Sequence, residues 1–131
     1  EEVGPSRGMT MMRLAVQAPE RRGDVIRGMI AMIDRPFGNL WTDIPAAMLD
    51  SAGFAVGDTL RVVISHDGRT VLDTLRVPYV ESFGRVAVGR PVTYLNSLLE
   101  LAIAINQGSF AEKYRIGTGP GWVITVRGRR H

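Results

Sequence analysis

The chain is 131 residues long, which fits a single domain with a core of its own. It is 45% hydrophobic and 22% charged, which excludes a disordered chain, and no apolar run approaches the ~18 residues of a membrane-spanning helix. Without cysteine it forms no disulfide scaffold, zinc ribbon or catalytic thiol. His66 and His131, the two histidines, are too few for a multi-histidine metal site. We expect a cytoplasmic protein that binds no metal.

The first 23 residues are the poorest in pattern. Gly, Pro and same-sign charge pairs interrupt them, so they are predicted to form a linker with one strand near 14–16. The compact domain is predicted over 24–131. Because the chain begins at Glu1 and not at a methionine, we interpret it as a fragment or a processed product.

From residue 24 onward, short apolar runs alternate with turn signals. Strands are predicted over 25–33, 40–44, 59–64, 71–77, 86–88, 92–95, 101–105 and 122–126. Short helices are predicted over 45–53, where Pro opens and Gly ends the segment, and over 108–114. Strands this short and regularly spaced favour an antiparallel barrel or sandwich over a helix-crossover sheet. We predict a mainly β fold, a small antiparallel β-barrel with one or two short helices.

The turn over 34–39 is the first candidate for chemistry. It places a carboxylate (Asp34), a guanidinium, an aromatic ring (Phe37) and an amide (Asn39) within six residues. Such a loop can offer an anion to an ammonium group, a flat face to a heterocycle, and an amide that donates and accepts. The alternative is a purely structural turn shaped by its Pro and Gly.

A second candidate flanks the apolar strand over 101–105. Residues 94–97 (Tyr-Leu-Asn-Ser) precede this strand and residues 106–109 (Asn-Gln-Gly-Ser) follow it, so both polar clusters can face the same end of a cleft. Strand-end capping, in which such side chains bond their own backbone, is the alternative.

The basic tail over 127–131 can contact phosphates. No aromatic residue is interleaved to stack bases, so we interpret it as a solvated tail and expect no nucleic-acid partner. His66 is interpreted as the surface of a hairpin turn. The sequence contains no phosphate loop, no Ser–His–Asp constellation and no metal-ligand spacing.

Taken together, the two candidates carry a resemblance. Residues 33–44 resemble a signature of the S-adenosylmethionine hydroxide adenosyltransferase family, which includes the fluorinases and chlorinases: Asp-Arg, an optional Pro, Phe-Gly-Asn, two residues, then Thr-Asn-Ile. Residues 94–109 resemble the later signature of that family at about the expected distance. The resemblance covers roughly residues 24–127.

The resemblance implies half of an enzyme. Family members join a larger N-terminal α/β domain through a linker to a C-terminal β-barrel, and their active sites lie between subunits of a trimer. Water, or a halide in specialised members, displaces methionine from the ribose carbon of S-adenosylmethionine. The catalytic groups belong to the N-terminal domain, so none is expected here. We expect a homotrimer, S-adenosylmethionine as substrate without a further cofactor, and no activity from these residues alone.

By the same resemblance, this domain holds both ends of the substrate. At the adenine end, Phe37 and Tyr79 would flank the base, Asn39 would hydrogen-bond its edge, and backbone near Gln107 would complete the contacts.

At the methionine end, Asp34 would meet the ammonium group, while Ser97 and the backbone amide of Leu98 would receive the carboxylate. Holding both ends orients the substrate for in-line attack.

Three positions depart from the family pattern. Asp43 stands where the family usually has Asn. Leu99 replaces a Gly that the family has two residues after the serine, so the turn after Ser97 can differ in conformation from the family's turn. The aromatic role given to Tyr79 fits Phe83 equally well.

The leading hypothesis is therefore the C-terminal part of an adenosine-forming S-adenosylmethionine hydrolase. The alternatives are a halogenase of the same family and a non-catalytic ligand-binding barrel subunit. A nucleic-acid-binding barrel is suggested only by the basic balance.

Overall fold

The computed structural model describes residues 18–34, 37–81 and 87–128. These residues contain eight antiparallel strands and two short helices, joined by turns and loops. The strands are β1 (Glu20–Arg22), β2 (Val25–Asp34), β3 (Asn39–Pro45), β4 (Thr59–His66), β5 (Arg69–Pro78), β6 (Pro91–Leu95), β7 (Glu100–Ile105) and β8 (Trp122–Arg127). The helices are α1 (Ala46–Ser51) and α2 (Phe110–Tyr114). The prediction of a mainly β fold with short helices is confirmed.

Two details differ from the sequence prediction. Ala87 and Val88 belong to no strand, whereas the sequence predicts one over 86–88. β1 lies within the predicted linker and pairs with the first residues of β2. The strand predicted near 14–16 falls outside the described residues. Within the described part of the chain, no helix is long and apolar enough to cross a membrane.

The strands form one curled sheet in the order β5-β4-β8-β2-β3-β7-β6. The two ends of this order meet at a parallel bridge between Tyr79, just after β5, and Thr93 of β6. There the Val80 amide donates to the Thr93 carbonyl at 2.9 Å, and the Thr93 hydroxyl donates to the Pro78 carbonyl at 2.9 Å. The sheet is therefore antiparallel and curled like a barrel, as the sequence predicted.

Alternation along the strands places one set of side chains inside this curl. The innermost side chains are branched aliphatic residues with no exposed surface, joined by Phe110 from α2. The central ones are Ile26, Ile30, Leu40, Ile44, Leu60, Val62, Ile64, Leu101, Ile103, Ile124 and Val126. Their neighbours in sequence point outward, and this leaves the outer face of the sheet for other roles.

β2 changes partners along its length. Its first residues, through Met29, pair with β8, and from Ile30 onward it pairs with β3, with a register shift after Ile30. Beside this switch the Met29 amide donates to the Asp43 carboxylate at 2.8 Å. Gly28 makes room for that contact, because a Cβ there would lie 2.6 Å from the carboxylate oxygen. Asp43 thus secures the bend in β2.

Replacing Asp43 with Asn should increase stability at neutral pH. Burial raises the pKa of Asp43, and hydrogen bonds from the Met29 amide and its own amide offset part of that rise. The folded state therefore binds the proton more tightly than the unfolded chain, and stability declines as pH rises through the raised pKa. Asp43→Asn keeps an acceptor oxygen but no ionisable group.

Denaturant unfolding at pH ~7 and pH ~4 checks this expectation. The variant should exceed the wild type at the higher pH, with a smaller difference at the lower one. A variant that is less stable at neutral pH would show that the negative charge itself holds the bend.

Candidate functional site

The register of four neighbouring strands brings two of the predicted site residues, Asp34 and Asn39, to the outer face of the sheet beside Trp41 and Tyr94. Asp34 at the end of β2 pairs with Asn39 at the start of β3. Trp41, two residues after Asn39, pairs with Ala102 of β7, which in turn pairs with Tyr94 of β6. Because directly opposed residues in an antiparallel pair share a face, these side chains emerge on the same side. That side is opposite the core.

Asn39 is the most buried polar residue of this group, with 7% of its surface exposed. Its side-chain nitrogen donates to the Tyr94 hydroxyl at 3.1 Å, across the intervening strand β7. Burial raises the pKa of Tyr94, the N–H groups of Asn39 and Trp41 lower it, and the charge of Asp34 raises it further. Asn39 and Tyr94 are therefore joined by a hydrogen bond, and Asp34 and Trp41 lie beside them on the same face.

The turn that follows Asp34 depends on glycine at position 38. Gly38 has φ +75°, and its amide donates to the Asp34 carbonyl at 2.8 Å. A Cβ there would overlap the Ser109 hydroxyl and lie 2.6 Å from the Ser109 Cβ. The Gly38 carbonyl accepts from the Ala111 amide at 3.0 Å. The first candidate turn is thus packed directly against the start of α2.

α2 begins at a side-chain cap. The Ser109 hydroxyl accepts from the Glu112 amide at 3.1 Å, which satisfies one of the free amides of the first turn. Before it, Gln107 has φ +59° and the Gly108 amide donates to the Ile105 carbonyl at 3.0 Å. These contacts fold residues 105–109 back toward Gly38.

A pocket of about 690 Å³ opens between the turn and this loop. It is lined by Asp34, Phe37, Asn39, Ile105, Asn106, Gln107, Gly108, Ser109 and Glu112. The volume suits a ligand of nucleoside size or larger. Two carboxylates, an exposed aromatic ring and several amides can recognise a cationic ligand that carries a flat heterocycle.

Four of the seven predicted site residues line this pocket: Asp34, Phe37, Asn39 and Gln107. Ser97 and Leu98 lie in the β6–β7 turn, at the far end of β7, about 17 Å away at ~3.4 Å per residue. The two polar clusters beside β7 therefore do not share one end, because a continuous strand separates them. The role of Ser97 and Leu98 in carboxylate binding stays a prediction.

The turn that carries Ser97 is organised by Asn96. The side-chain oxygen (Oδ1) of the buried Asn96 accepts from the amides of Leu98 at 2.9 Å and Glu100 at 3.1 Å. The Leu98 amide proposed for the carboxylate is thus engaged by a side chain. Leu99 has φ +59°, so a residue other than glycine adopts the left-handed conformation at the position where the family has Gly.

Tyr79 lies in the core, with 5% of its surface exposed, and does not line the pocket. Its carbonyl accepts from the Gly57 amide at 2.8 Å and its own amide donates to the Asp58 carbonyl at 2.9 Å. Burial, and then the charge of Asp50, raise its pKa. Phe83, the other aromatic considered for adenine, falls outside the described residues. The adenine-flanking role stays a prediction.

Sequence reasoning placed Tyr94, Asn106 and Ser109 in the second candidate cluster without an individual role. It assigned none to Trp41 or Glu112. Four of these five residues lie within the two quoted signatures, so membership of a signature was the available signal. Glu112 lies outside both signatures, so the sequence held no signal for it. Its place at the pocket follows from the packing of α2 against Gly38. Among the described residues, no group of three or more His, Asp or Glu side chains could hold a metal ion.

Sequence comparisons with known proteins agree on one family. A family model described as the SAM hydroxide adenosyltransferase C-terminal domain matches residues 28–123. The chain is 39% identical over 103 residues to a fluorinase of Actinoplanes sp. (strain N902-109), covering 79% of this chain and 33% of that protein. It is 36% identical over 112 residues to a fluorinase of Actinopolyspora mzabensis, covering 85% and 35%.

The chain thus spans about a third of the length of these curated relatives. A crystal structure of an uncharacterized conserved protein from Thermotoga maritima superposes with a TM-score of 0.73. The identity is 24%, and the match covers 94% of this chain and 42% of that one. At this identity, the similarity shows a shared fold.

Replacing Gly38 with Ala should destabilise the protein by at least ~2 kcal/mol, because backbone strain adds to the overlap with Ser109. Gly53→Ala is the matched control: Gly53 has φ +87°, but a Cβ placed there would meet nothing within 4 Å. It should lose only ~1 kcal/mol. Denaturant unfolding measures the loss of stability in both variants. Equal losses would show that the close contact between Gly38 and Ser109 adds nothing to the backbone strain.

Leu99→Gly should stabilise the protein by about 0.5–1 kcal/mol, because it relieves a left-handed conformation that costs more for Leu than for Gly. Leu98, its neighbour, is equally exposed (64% against 63%) but has no positive φ. Leu98→Gly should therefore lose stability. Thermal and denaturant unfolding compare the two variants, and destabilisation by both would contradict the strain assigned to Leu99.

Proposed function

Because this chain belongs to the family of S-adenosylmethionine hydroxide adenosyltransferase C-terminal domains, we propose that it is the substrate-binding part of an adenosine-forming S-adenosylmethionine hydrolase. In that reaction, the oxygen of hydroxide, or of water that gives up one proton to a base, forms a bond to the ribose 5′ carbon. The bond from that carbon to sulfur breaks, its electron pair stays on sulfur, and methionine leaves. Residues 24–131 form the substrate-binding barrel, to which β1 adds a short strand. Residues 1–23 otherwise link it to an N-terminal domain that supplies the catalytic groups.

The observation that carries the proposal is the pocket between the 34–39 turn and residues 105–109. Its buried Asn39 offers an amide to the adenine edge, and the exposed ring of Phe37 offers a stacking face. Asp34 and Glu112 supply negative charge for a substrate that carries a sulfonium and an ammonium group. No basic side chain lines this pocket in the described residues, which suits a cationic ligand.

The methionine carboxylate is assigned to the β6–β7 turn. It would meet the exposed Ser97 hydroxyl, and would compete with Asn96 for the Leu98 amide. Reaching this turn from the pocket requires the methionine arm to run along β7, past Tyr94. In a homotrimer, the N-terminal domain of a neighbouring subunit would cover this outer face and exclude water from it.

A halogenase is the second candidate, since two curated relatives at 39% and 36% identity are fluorinases. In that case chloride or fluoride would be the nucleophile. The pocket described here binds the same substrate in either reaction, so the nucleophile is chosen elsewhere in the complete protein.

Incubating the complete protein with S-adenosylmethionine, with and without chloride or fluoride, separates the two candidates. Mass spectrometry of the nucleoside products should show adenosine under all conditions. A 5′-halogenated nucleoside would support the halogenase instead, and the absence of any nucleoside product would contradict both.

The same protein tests the adenine contact. Asn39→Ala should weaken adenosine binding by about 1–3 kcal/mol, since a polar edge of the base loses its partner. Thr93→Ala is the matched control, because Thr93 is also a buried polar residue with one hydrogen bond, to Pro78, outside the pocket. Calorimetry should find the adenosine affinity of Thr93→Ala unchanged. If both variants lose affinity equally, the loss in Asn39→Ala reflects a less stable protein and not a lost contact with adenine.

A further inference from the structure

Four arginines lie in one line across the outer face of the sheet. Arg76 of β5 is directly opposed to Arg61 of β4, and Arg61 is directly opposed to Arg127 of β8. Arg127 is opposed to Val25 of β2, which is opposed to Arg22 of β1. Because directly opposed residues share a face, these side chains project from one side of five neighbouring strands. We call the four arginines the arginine row.

The arginine row points toward solvent. Leu60 and Val126, each next to an arginine of the row in sequence, belong to the core and have no exposed surface. Because side chains alternate along a strand, the arginines point away from the core. All four are exposed or half-buried. Arg27, two residues after Val25 on the same face, adds a fifth exposed guanidinium group beside the row.

The positive charge of this face is not neutralised within the described part of the chain. None of the five guanidinium groups forms an ion pair with a described carboxylate, and the pair of His66 with Asp67 lies at the far end of β4. Glu20 is opposed to Arg27 in the register of β1 and β2, yet the two form no ion pair. Like charges that are directly opposed destabilise a sheet, so the arginine row lowers the stability of the fold until an anion covers it.

The spacing of the arginine row favours a partner with closely spaced negative charges. Neighbouring strands lie about 4.7–4.9 Å apart, and the row places a guanidinium group on three adjacent strands. Carboxylates on one face of an extended acidic peptide recur every second residue, about 6.8 Å apart. Adjacent groups in a chain of linked phosphates share an oxygen and lie closer together than that. Since a guanidinium group also binds phosphate through two N–H groups at once, a phosphate chain matches the row better than an acidic peptide does.

This face offers no flat side chain on which a base could stack. Proteins that bind single-stranded nucleic acids combine a basic groove with aromatic side chains that stack on the bases. In β1, β2, β4, β5 and β8 the aromatic residues are His66 and Trp122. Their rings stack on each other with centroids 4.1 Å apart, at the opposite end of β8 from Arg127. The arginine row therefore suits a polyanion that carries no bases.

We propose that the arginine row binds a linear polyphosphate chain, whose phosphates lie across the strands and neutralise the opposed arginines. The outer face of a curled sheet is convex, and a flexible chain can bend over it. The row crosses the Val25 end of β2, whereas the pocket lies at the Asp34 end, so the inference does not depend on the proposed function. The arginines are spread over residues 22–127, and only the strand register aligns them.

Calorimetry of the complete protein with polyphosphate of defined length, at several salt concentrations, tests the inference. The wild type should bind, and its affinity should fall steeply as salt is added. Arg127→Gln removes the charge on the middle strand of the row. It should weaken binding about tenfold and reduce the slope of log affinity against log salt concentration by about one. Arg76→Gln should do the same, and it decides the test if Arg127→Gln does not fold.

Arg69→Gln is the matched control. Arg69 is also exposed and lies on β5, at the opposite end of that strand from Arg76, so its replacement changes the net charge equally without touching the row. Its affinity for polyphosphate should equal that of the wild type. A loss as large as that of Arg127→Gln would show that net charge alone attracts the polyanion, and would overturn the inference.

Three further probes test the chemistry of the partner. They are an oligothymidylate and a polyglutamate, each matched to the polyphosphate in charge, and vesicles that contain an anionic lipid. Polyphosphate should bind more tightly than each of them at a salt concentration of about 0.15 M. Tighter binding of any of the three, or no binding of polyphosphate by the wild type, would overturn the inference.

Discussion

The candidate site depends on the register in which β2, β3, β7 and β6 pair side by side. Alternation along each strand sends every second side chain outward, and the pairing aligns those side chains across strands. A slip of one residue in β3 would turn Asn39 and Trp41 into the core and bring Leu40 out. The fully buried Leu40 and Ile103, which are paired across β3 and β7, oppose such a slip. Packing of the core therefore positions the polar residues outside it.

The second constraint is the contact between the 34–39 turn and α2. Gly38 provides both a left-handed backbone and the space for Ser109, and its carbonyl holds the first turn of α2. One wall of the pocket thus comes from the first signature and the other from the end of the second. The two signatures lie far apart in sequence, yet each supplies what the other lacks: a flat ring and an amide on one side, a capped loop with further polar groups on the other.

The sequence predicted those parts of the fold that local patterns determine. Runs such as 101–105 indicate strands, and the turn signals around Gly38 and Asp67-Gly68 indicate where strands reverse. The pairing register is not local, so the sequence did not reveal that Ser97 lies at the far end of β7 from Gln107. Nor did it reveal that Tyr79 is buried where the sheet edges meet. Both follow from contacts between residues distant in the chain. The bond from the Leu98 amide to the Asn96 side chain is local instead, and it is the strand-end capping that the sequence offered as the alternative.

In the proposed function, the adenine of S-adenosylmethionine binds on the outer face of this sheet, between Asn39 and the loop over 105–109. A crystal structure of the complete protein with bound adenosine tests this most directly. We expect the base within hydrogen-bonding distance of the Asn39 amide, with its face toward Phe37. A base bound at another part of the domain, with Asn39 still directed only at Tyr94, would contradict it.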